Sequence, residues 1–231
     1  MLTEKNDHIS KTKGLIMSAF SGFVKKFLGG LVRKLYRINV IGAENEPENG
    51  PFIVCSNHLS NHDVVILFVT MKRRMRFLAK AELFKIPILS QVVKAFGAYP
   101  IKRGGADVSA LKKTISLLKD GEVICYFPQG HRFPGVDPCG TPVQPGVGLV
   151  TRKSEVPVLP VLISTKTNKV KMFRKTTVTI GKPINFSEFG EMENNKNDYS
   201  HISNVIFGRI CSLPSSYQGD INSLPDSPEK K

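Results

Sequence analysis

The stretch from Phe52 to Val69 constrains this chain more than any other. The apolar run Phe52-Ile53-Val54-Cys55 has the length of a strand, and Val64-Val65-Ile66-Leu67-Phe68-Val69 opens a second apolar run long enough, over 64–71, for a helix. Between them stands Asn57-His58-Leu59-Ser60-Asn61-His62-Asp63, so histidines and a carboxylate sit where a strand hands over to a helix. Side chains on such a turn are held by the rigid elements on either side yet open to a cleft, which is where a base can meet a substrate.

The same alternation continues along the chain. Ile38 to Gly42 reads as a short strand leaving a turn-rich loop that ends at Pro51, and Arg76 to Ala79 reads as another strand. Ile88 to Ala95 is a short helix with Pro87 at its start and Gly97 beyond its end. Tyr99-Pro100-Ile101 is extended; Ala106 to Leu118 has the apolar spacing of a helix and closes at Asp120-Gly121. Glu122 to Phe127 is a strand, Val147 to Lys153 a helix after Pro145-Gly146, and Val156 to Ser164 and Val178 to Ile180 are strands. Strands alternating with helices define an α/β fold. No linker divides the middle, so one domain is expected over 38–212. The Ser-, Pro-, Asp- and Lys-rich stretch 213–231 is expected to form a mobile polar tail.

Residues 1–37 form an appendage of different character. Ile16, Phe20, Phe23, Val24, Phe27, Leu31 and Leu35 recur at three- and four-residue spacing, and Lys11, Lys13, Lys25, Lys26, Arg33, Lys34 and Arg37 surround that stripe. Lys25 and Lys26 keep any apolar run below the roughly 18 residues of a membrane span, and the polar, partly acidic start is not that of a secretory signal. A basic helix with a Phe- and Leu-rich face is expected to lie on an anionic membrane surface, with Gly29-Gly30 as the place where it bends.

Charge fits that expectation. Lys and Arg number 33 against 19 Asp and Glu, a formal net charge of +14, which suits nucleic acid, anionic lipid or phosphorylated substrates. Nucleic acid is disfavoured, because aromatic residues are not interleaved with the basic ones as a base-stacking platform requires. Cys55, Cys125, Cys139 and Cys211 are widely spaced, form no CxxC or Cys/His cluster, and read as reduced thiols without a metal site.

His58 and Asp63 are five positions apart, which on one continuous helix would set them about 140° apart. A loop that enters a helix at Asp63 removes the difficulty, since it can fold back and bring the carboxylate to one imidazole nitrogen, leaving the other free to take a proton from an alcohol. Asp63 as a simple helix cap and His58 as a turn residue is the competing reading, and spacing does not choose between His58 and His62. Ser56 and Ser60 lack the Gly-x-Ser-x-Gly elbow of a nucleophilic serine, so direct transfer to an external hydroxyl is preferred.

Four blocks in order give the chain a resemblance to the glycerolipid acyltransferases that acylate glycerol phosphate and lysophosphatidic acid, over roughly residues 50 to 165. Asn57-His58 with Asp63 is similar to the family's His-x4-Asp block, and Gly97-Ala98-Tyr99-Pro100-Ile101-Lys102-Arg103 resembles its Gly-x-x-x-Ile-x-Arg block. Phe127-Pro128-Gln129-Gly130-His131-Arg132 resembles Phe-Pro-Glu-Gly-Thr-Arg, and Val156 to Val161 resembles the proline block, with Pro157 and Pro160 expected to shape a strand edge. The resemblance implies a single domain built on a mixed, mainly parallel sheet flanked by helices. It implies His58 as base, Asp63 as its orienting partner, and Arg103 and Arg132, assisted by Lys102, on the acceptor's phosphate. Gly130 lets the backbone approach the substrate, and its neighbouring amides are candidates for the phosphate or the oxyanion.

The implied partners are a lysophospholipid acceptor, acyl-CoA or acyl-carrier protein as donor, and an anionic membrane surface. No cofactor is implied, and the location is the cytoplasmic face of a membrane, monotopic or peripheral. Gln129 in place of Glu and His131 in place of Thr depart from the family pattern and bear on the choice of acceptor: another lysolipid is the alternative substrate, and a non-catalytic basic lipid-binding protein is the alternative class.

Overall fold

A computed structural model describes residues 29–101, 108–190 and 195–218. The stripe up to residue 28 and the candidate phosphate ligands Lys102 and Arg103 lie outside the described residues. Helix α1 (residues 29–35) leads into strand β1 (Ile38–Ile41), followed by β2 (Ile53–Ser56), α2 (His62–Thr70), β3 (Met75–Lys80), α3 (Pro87–Ala95), β4 (Ala98–Ile101) and α4 (Val108–Lys119). Then come β5 (Val123–Tyr126), α5 (Gly146–Ser154), β6 (Val158–Ser164), β7 (Thr176–Ile180) and α6 (Lys196–Cys211). Among the described residues no helix is long and apolar enough to cross a membrane.

The seven strands form one sheet in the order β1-β7-β6-β2-β5-β3-β4. Every neighbouring pair is parallel except β6 with β7, so β1 and β7 run against the other five. The fold is therefore a single α/β domain on a mixed, mainly parallel sheet, as the alternation of elements and the family resemblance implied. The central strands are apolar on both sides because both sides are covered. β2 sends Val54 to one face and Ile53 and Cys55 to the other; β5 sends Val123 and Cys125 to the first and Ile124 to the second. The first face is packed by α2 through Ile66, Leu67 and Val69, with Val32 and Leu35 of α1 against the same core. The second is packed by Leu118 of α4, Val147 and Val150 of α5, and Ile202, Ile206 and Phe207 of α6. α5 and α6 approach closely at Gly148, where a Cβ would stand 1.9 Å from the Tyr199 carbonyl oxygen.

Two expectations need correction. Pro160 lies in β6, a central strand between β7 and β2, and not on an edge. Its carbonyl accepts from the Gly181 amide at 2.8 Å, just beyond Ile180 where β7 ends. In a strand, N and C=O of one residue face the same side, so the missing N–H of Pro160 falls where the ladder has stopped and removes no β7 pairing. The stretch 213–218, assigned by composition to a mobile tail, is tied to the sheet: Pro214 O accepts from Thr179 Oγ1 at 2.9 Å, the Ser216 amide donates to Ser164 Oγ at 3.0 Å, and the Gln218 amide donates to Lys166 O at 3.1 Å. Composition does not register such pairing of polar groups. The four cysteines are free, in keeping with their reading as reduced thiols, and Cys139 and Cys211 come near each other where α6 meets the turn Pro138–Gly140.

Candidate active site

The loop after β2 and the loop after β5 leave the sheet side by side at the C-terminal ends of parallel strands, the usual place for a site in such a fold. Asn57 fixes the first loop. Its side-chain amide donates to Ile163 O at 2.8 Å, and its Oδ1 accepts from the Ile163 amide at 2.7 Å, which carries strand pairing with β6 one residue past β2. Asn57 is fully buried and thus positions the next residue without facing the cleft.

His58 is fixed from four directions. Its Nδ1 lies 2.8 Å from Asp63 Oδ2, its amide donates to Gln129 Oε1 at 2.6 Å, and its carbonyl accepts from the Phe133 amide at 2.9 Å. Its ring stacks on Phe127, with centroids 4.0 Å apart and planes 15° from parallel. Asp63 Oδ2 also accepts from the Leu59 and Ser60 amides, each at 2.7 Å, while buried Oδ1 has no hydrogen-bond partner among the described residues. The carboxylate stands in the first turn of α2, where the helix dipole favours negative charge. Asp63 therefore folds the loop back on itself and accepts the imidazole; it is not a plain cap. A neutral imidazole donating from Nδ1 to this carboxylate presents a lone pair at Nε2, the form a general base needs.

Position resolves the choice between histidines. His62 is exposed, its Nδ1 lies 3.2 Å from Ser60 Oγ, and its ring meets Tyr36 at 5.5 Å. It touches no carboxylate among the described residues.

Gln129 turns inward. It is fully buried, accepts from the His58 amide, and donates from Nε2 to Thr141 Oγ1 at 2.6 Å, the hydroxyl donating in turn to Pro138 O at 2.6 Å. Both ends of the amide are used inside the protein. A carboxylate here would place a second acceptor against a hydroxyl whose hydrogen is already given away, so glutamine is the residue that this particular network satisfies. The sequence departure at residue 129 is thus absorbed by scaffolding.

Gly130 follows with φ +69°, in the left-handed region that favours glycine, and its amide donates to Phe127 O at 3.1 Å. That amide is occupied; those of His131 and Arg132 make no hydrogen bond to a described residue and remain the neighbouring donors. Arg132 is half-buried, and its guanidinium makes no hydrogen bond or ion pair with a described residue, so its charge is available to an anion. The structure thus brings Asn57, His58, Asp63, Gln129, Gly130 and Arg132 to one edge of the sheet.

One neighbour was not singled out from sequence. Phe127 was seen only as part of a motif, although an aromatic residue directly after a strand that pairs with β2 is the signal for a ring platform. Cys125, beneath it, is fully buried, and burial, with the Asp63 charge adding to it, pushes its thiol well above the ordinary cysteine range. It is inert as a nucleophile. Burial, with a smaller contribution from Cys55, likewise pushes the Tyr126 phenol up to about 12.

Comparison with known proteins matches this architecture. The acyltransferase family model covers residues 37–164. The chain is 26% identical over 158 residues to the 1-acyl-sn-glycerol-3-phosphate acyltransferase of Bacillus subtilis, covering 67% of this chain and 77% of that protein. It is 29% identical over 180 residues to the chloroplastic 1-acyl-sn-glycerol-3-phosphate acyltransferase LPAT1 of Arabidopsis thaliana, covering 73% of this chain but half, 50%, of the plant protein's length. The fold resembles the crystal structure of the 1-acyl-sn-glycerophosphate (LPA) acyltransferase PlsC from Thermotoga maritima, with TM-score 0.57, 22% identity, and coverage of 89% of this chain and 99% of that one.

Proposed function

This chain belongs to the acyltransferase family, and from that premise we propose that it acylates the sn-2 hydroxyl of 1-acyl-sn-glycerol 3-phosphate to give phosphatidic acid. The donor is a thioester, acyl-CoA or acyl-carrier protein. The observation that carries the reading is the His58–Asp63 contact at 2.8 Å beside an Arg132 with no anionic partner among the described residues.

The steps follow from that geometry. Nε2 of His58 takes the proton of the acceptor hydroxyl as its oxygen attacks the thioester carbonyl, and the imidazolium is stabilised by Asp63. The tetrahedral oxyanion collapses, the C–S bond breaks, and the Nε2 proton passes to the leaving thiolate. Arg132 holds the acceptor's phosphate in the bidentate geometry that lysine cannot offer. Lys102 and Arg103 join it on the strength of the motif they occupy, and the amides beside Gly130 are the donors nearest the developing charge. The inward burial of Gln129 gives no support to a different lysolipid acceptor.

We place the enzyme on the cytoplasmic face of a membrane as a monotopic or peripheral protein. Support comes from the net charge of +14 and the basic apolar stripe in residues 1–37. The deciding assay supplies radiolabelled lysophosphatidic acid with each donor in turn. Phosphatidic acid must form with at least one, and His58→Ala should lower turnover by about 10³-fold or more with an unchanged melting temperature; near-normal turnover would remove the proposed base.

A further inference from the structure

Residues 171–175, Lys-Met-Phe-Arg-Lys, are all exposed. Phe173 shows 71% of its surface and Met172 53%, and Leu31 of α1 shows 60%. Phe173 also has φ +62°, a left-handed conformation uncommon for a bulky side chain. The backbone explains the turn: the Phe173 amide donates to Leu35 O at 2.6 Å, satisfying a carbonyl at the end of α1, and the Thr176 amide donates to Tyr36 O at 3.2 Å. Glycine or asparagine would make that turn without strain. An outward aromatic ring adds nothing to it, so the side chain needs another account.

Place and charge supply one. β7 runs antiparallel to β6, and β1 runs parallel to β7, so both start on the edge where β6, β2 and β5 end. The loop before β7 therefore shares the edge that carries His58, and Tyr36 of the same junction touches His62 of the His58 loop. The apolar groups are ringed by exposed Lys34, Arg37, Lys171, Arg174 and Lys175. Neither segment carries an acidic residue, from Gly29 to Ala43 or from Val156 to Ser187. Beside the loop lies a recess of about 440 Å³ whose lining includes Lys166, Lys169 and Lys171. Apolar side chains that project outward through a ring of cations match an anionic lipid surface, with rings below the headgroups and ammonium groups among the phosphates.

We propose that residues 171–175, with Leu31, seat the protein on an anionic bilayer so that the sheet edge bearing His58 faces the lipid. The proposal rests on the membrane-acting acyltransferase reading and adds to it a second attachment, centred on residues 171–175, which are remote in sequence from residues 1–28, that sets the orientation.

The chain has no tryptophan, so Phe173→Trp in the full-length protein is a single reporter. With phosphatidylglycerol-containing vesicles its emission should shift to the blue and be quenched by brominated acyl chains. In parallel, Met172→Ser/Phe173→Gly should lower partitioning onto those vesicles about tenfold or more at an unchanged or higher melting temperature. Unshifted, unquenched emission, partitioning equal to that of the parent chain, or no binding to anionic vesicles by either would overturn the proposal. Transfer to a short-chain, water-soluble lysophosphatidic acid without vesicles separates the two readings. Its absence in the parent chain refutes the acyl transfer and not the lipid contact; its retention in the double variant, alongside lost partitioning, is the expected result.

Discussion

The loop between β2 and α2 and the loop before β7 stand on the same edge of one sheet and are built on opposite plans. In the first, Asn57, His58, Asp63 and, from the neighbouring loop, Gln129 are buried and locked by hydrogen bonds. In the second, only backbone groups are engaged with described residues, and every side chain from 171 to 175 is exposed. Proton transfer needs an imidazole fixed to within tenths of an ångström, and buried, directional bonds do that. Contact with a fluid surface needs apolar area and charge, not precision.

The contrast is broken most severely at Asp63. Asp63→Asn keeps an acceptor for the Leu59 and Ser60 amides but removes the charge that stabilises the imidazolium and buries an amide NH₂ where Oδ1 has no partner. Turnover should fall on the order of 10³-fold, with a stability loss of about 1–3 kcal/mol by denaturant titration. A loss under about tenfold would mean that the contact only shapes the loop. Gln129→Ala strands the His58 amide and removes the donor to Thr141 Oγ1, and should cost about 1–3 kcal/mol while leaving the acceptor KM close to the parent value. A large shift in KM with intact stability would return Gln129 to substrate recognition.

Behind the same site, the phenol of Tyr126 gives a pH test. Its folded pKa of about 12 lies above the ordinary 10.0 because burial disfavours the anion. Its contribution is fully present below pH 10 and drains away between pH 10 and 12, where the unfolded chain ionises first. Tyr126→Phe should flatten that alkaline decline in melting temperature; a decline unchanged by the substitution would place its origin elsewhere. The smallest effect is expected in the exposed loop. Phe173→Gly should change stability by less than about 1 kcal/mol, because relief of the left-handed strain offsets the entropy glycine adds to the unfolded chain, and should leave turnover on a soluble acceptor unaltered.

Much of the first loop was legible in the sequence because its signals are local. Two apolar runs of different length flank a polar turn, and the five-residue step from His58 to Asp63 demands a fold-back that a turn into a helix provides. The exposed loop gave no such signal. Lys171 to Lys175 reads as an ordinary basic surface turn, and Met172 and Phe173 lack the periodicity of an amphipathic element. Pro160 was misplaced for a related reason: a proline's acceptability in a strand depends on where the neighbouring strand ends, and that is not written near the proline.

The sequence by itself determined the alternation of elements, the α/β class and the identity of the groups able to carry a proton and a phosphate, because composition and spacing over a few residues decide them. Tertiary structure alone decided that His58 and not His62 meets the carboxylate, that Gln129 faces inward to Thr141, that Phe127 backs the imidazole, and that residues 171–175 share an edge with His58. The last two bring together segments far apart in the chain, fixed by the order and direction of strands in the sheet, and local spacing carries no record of that order.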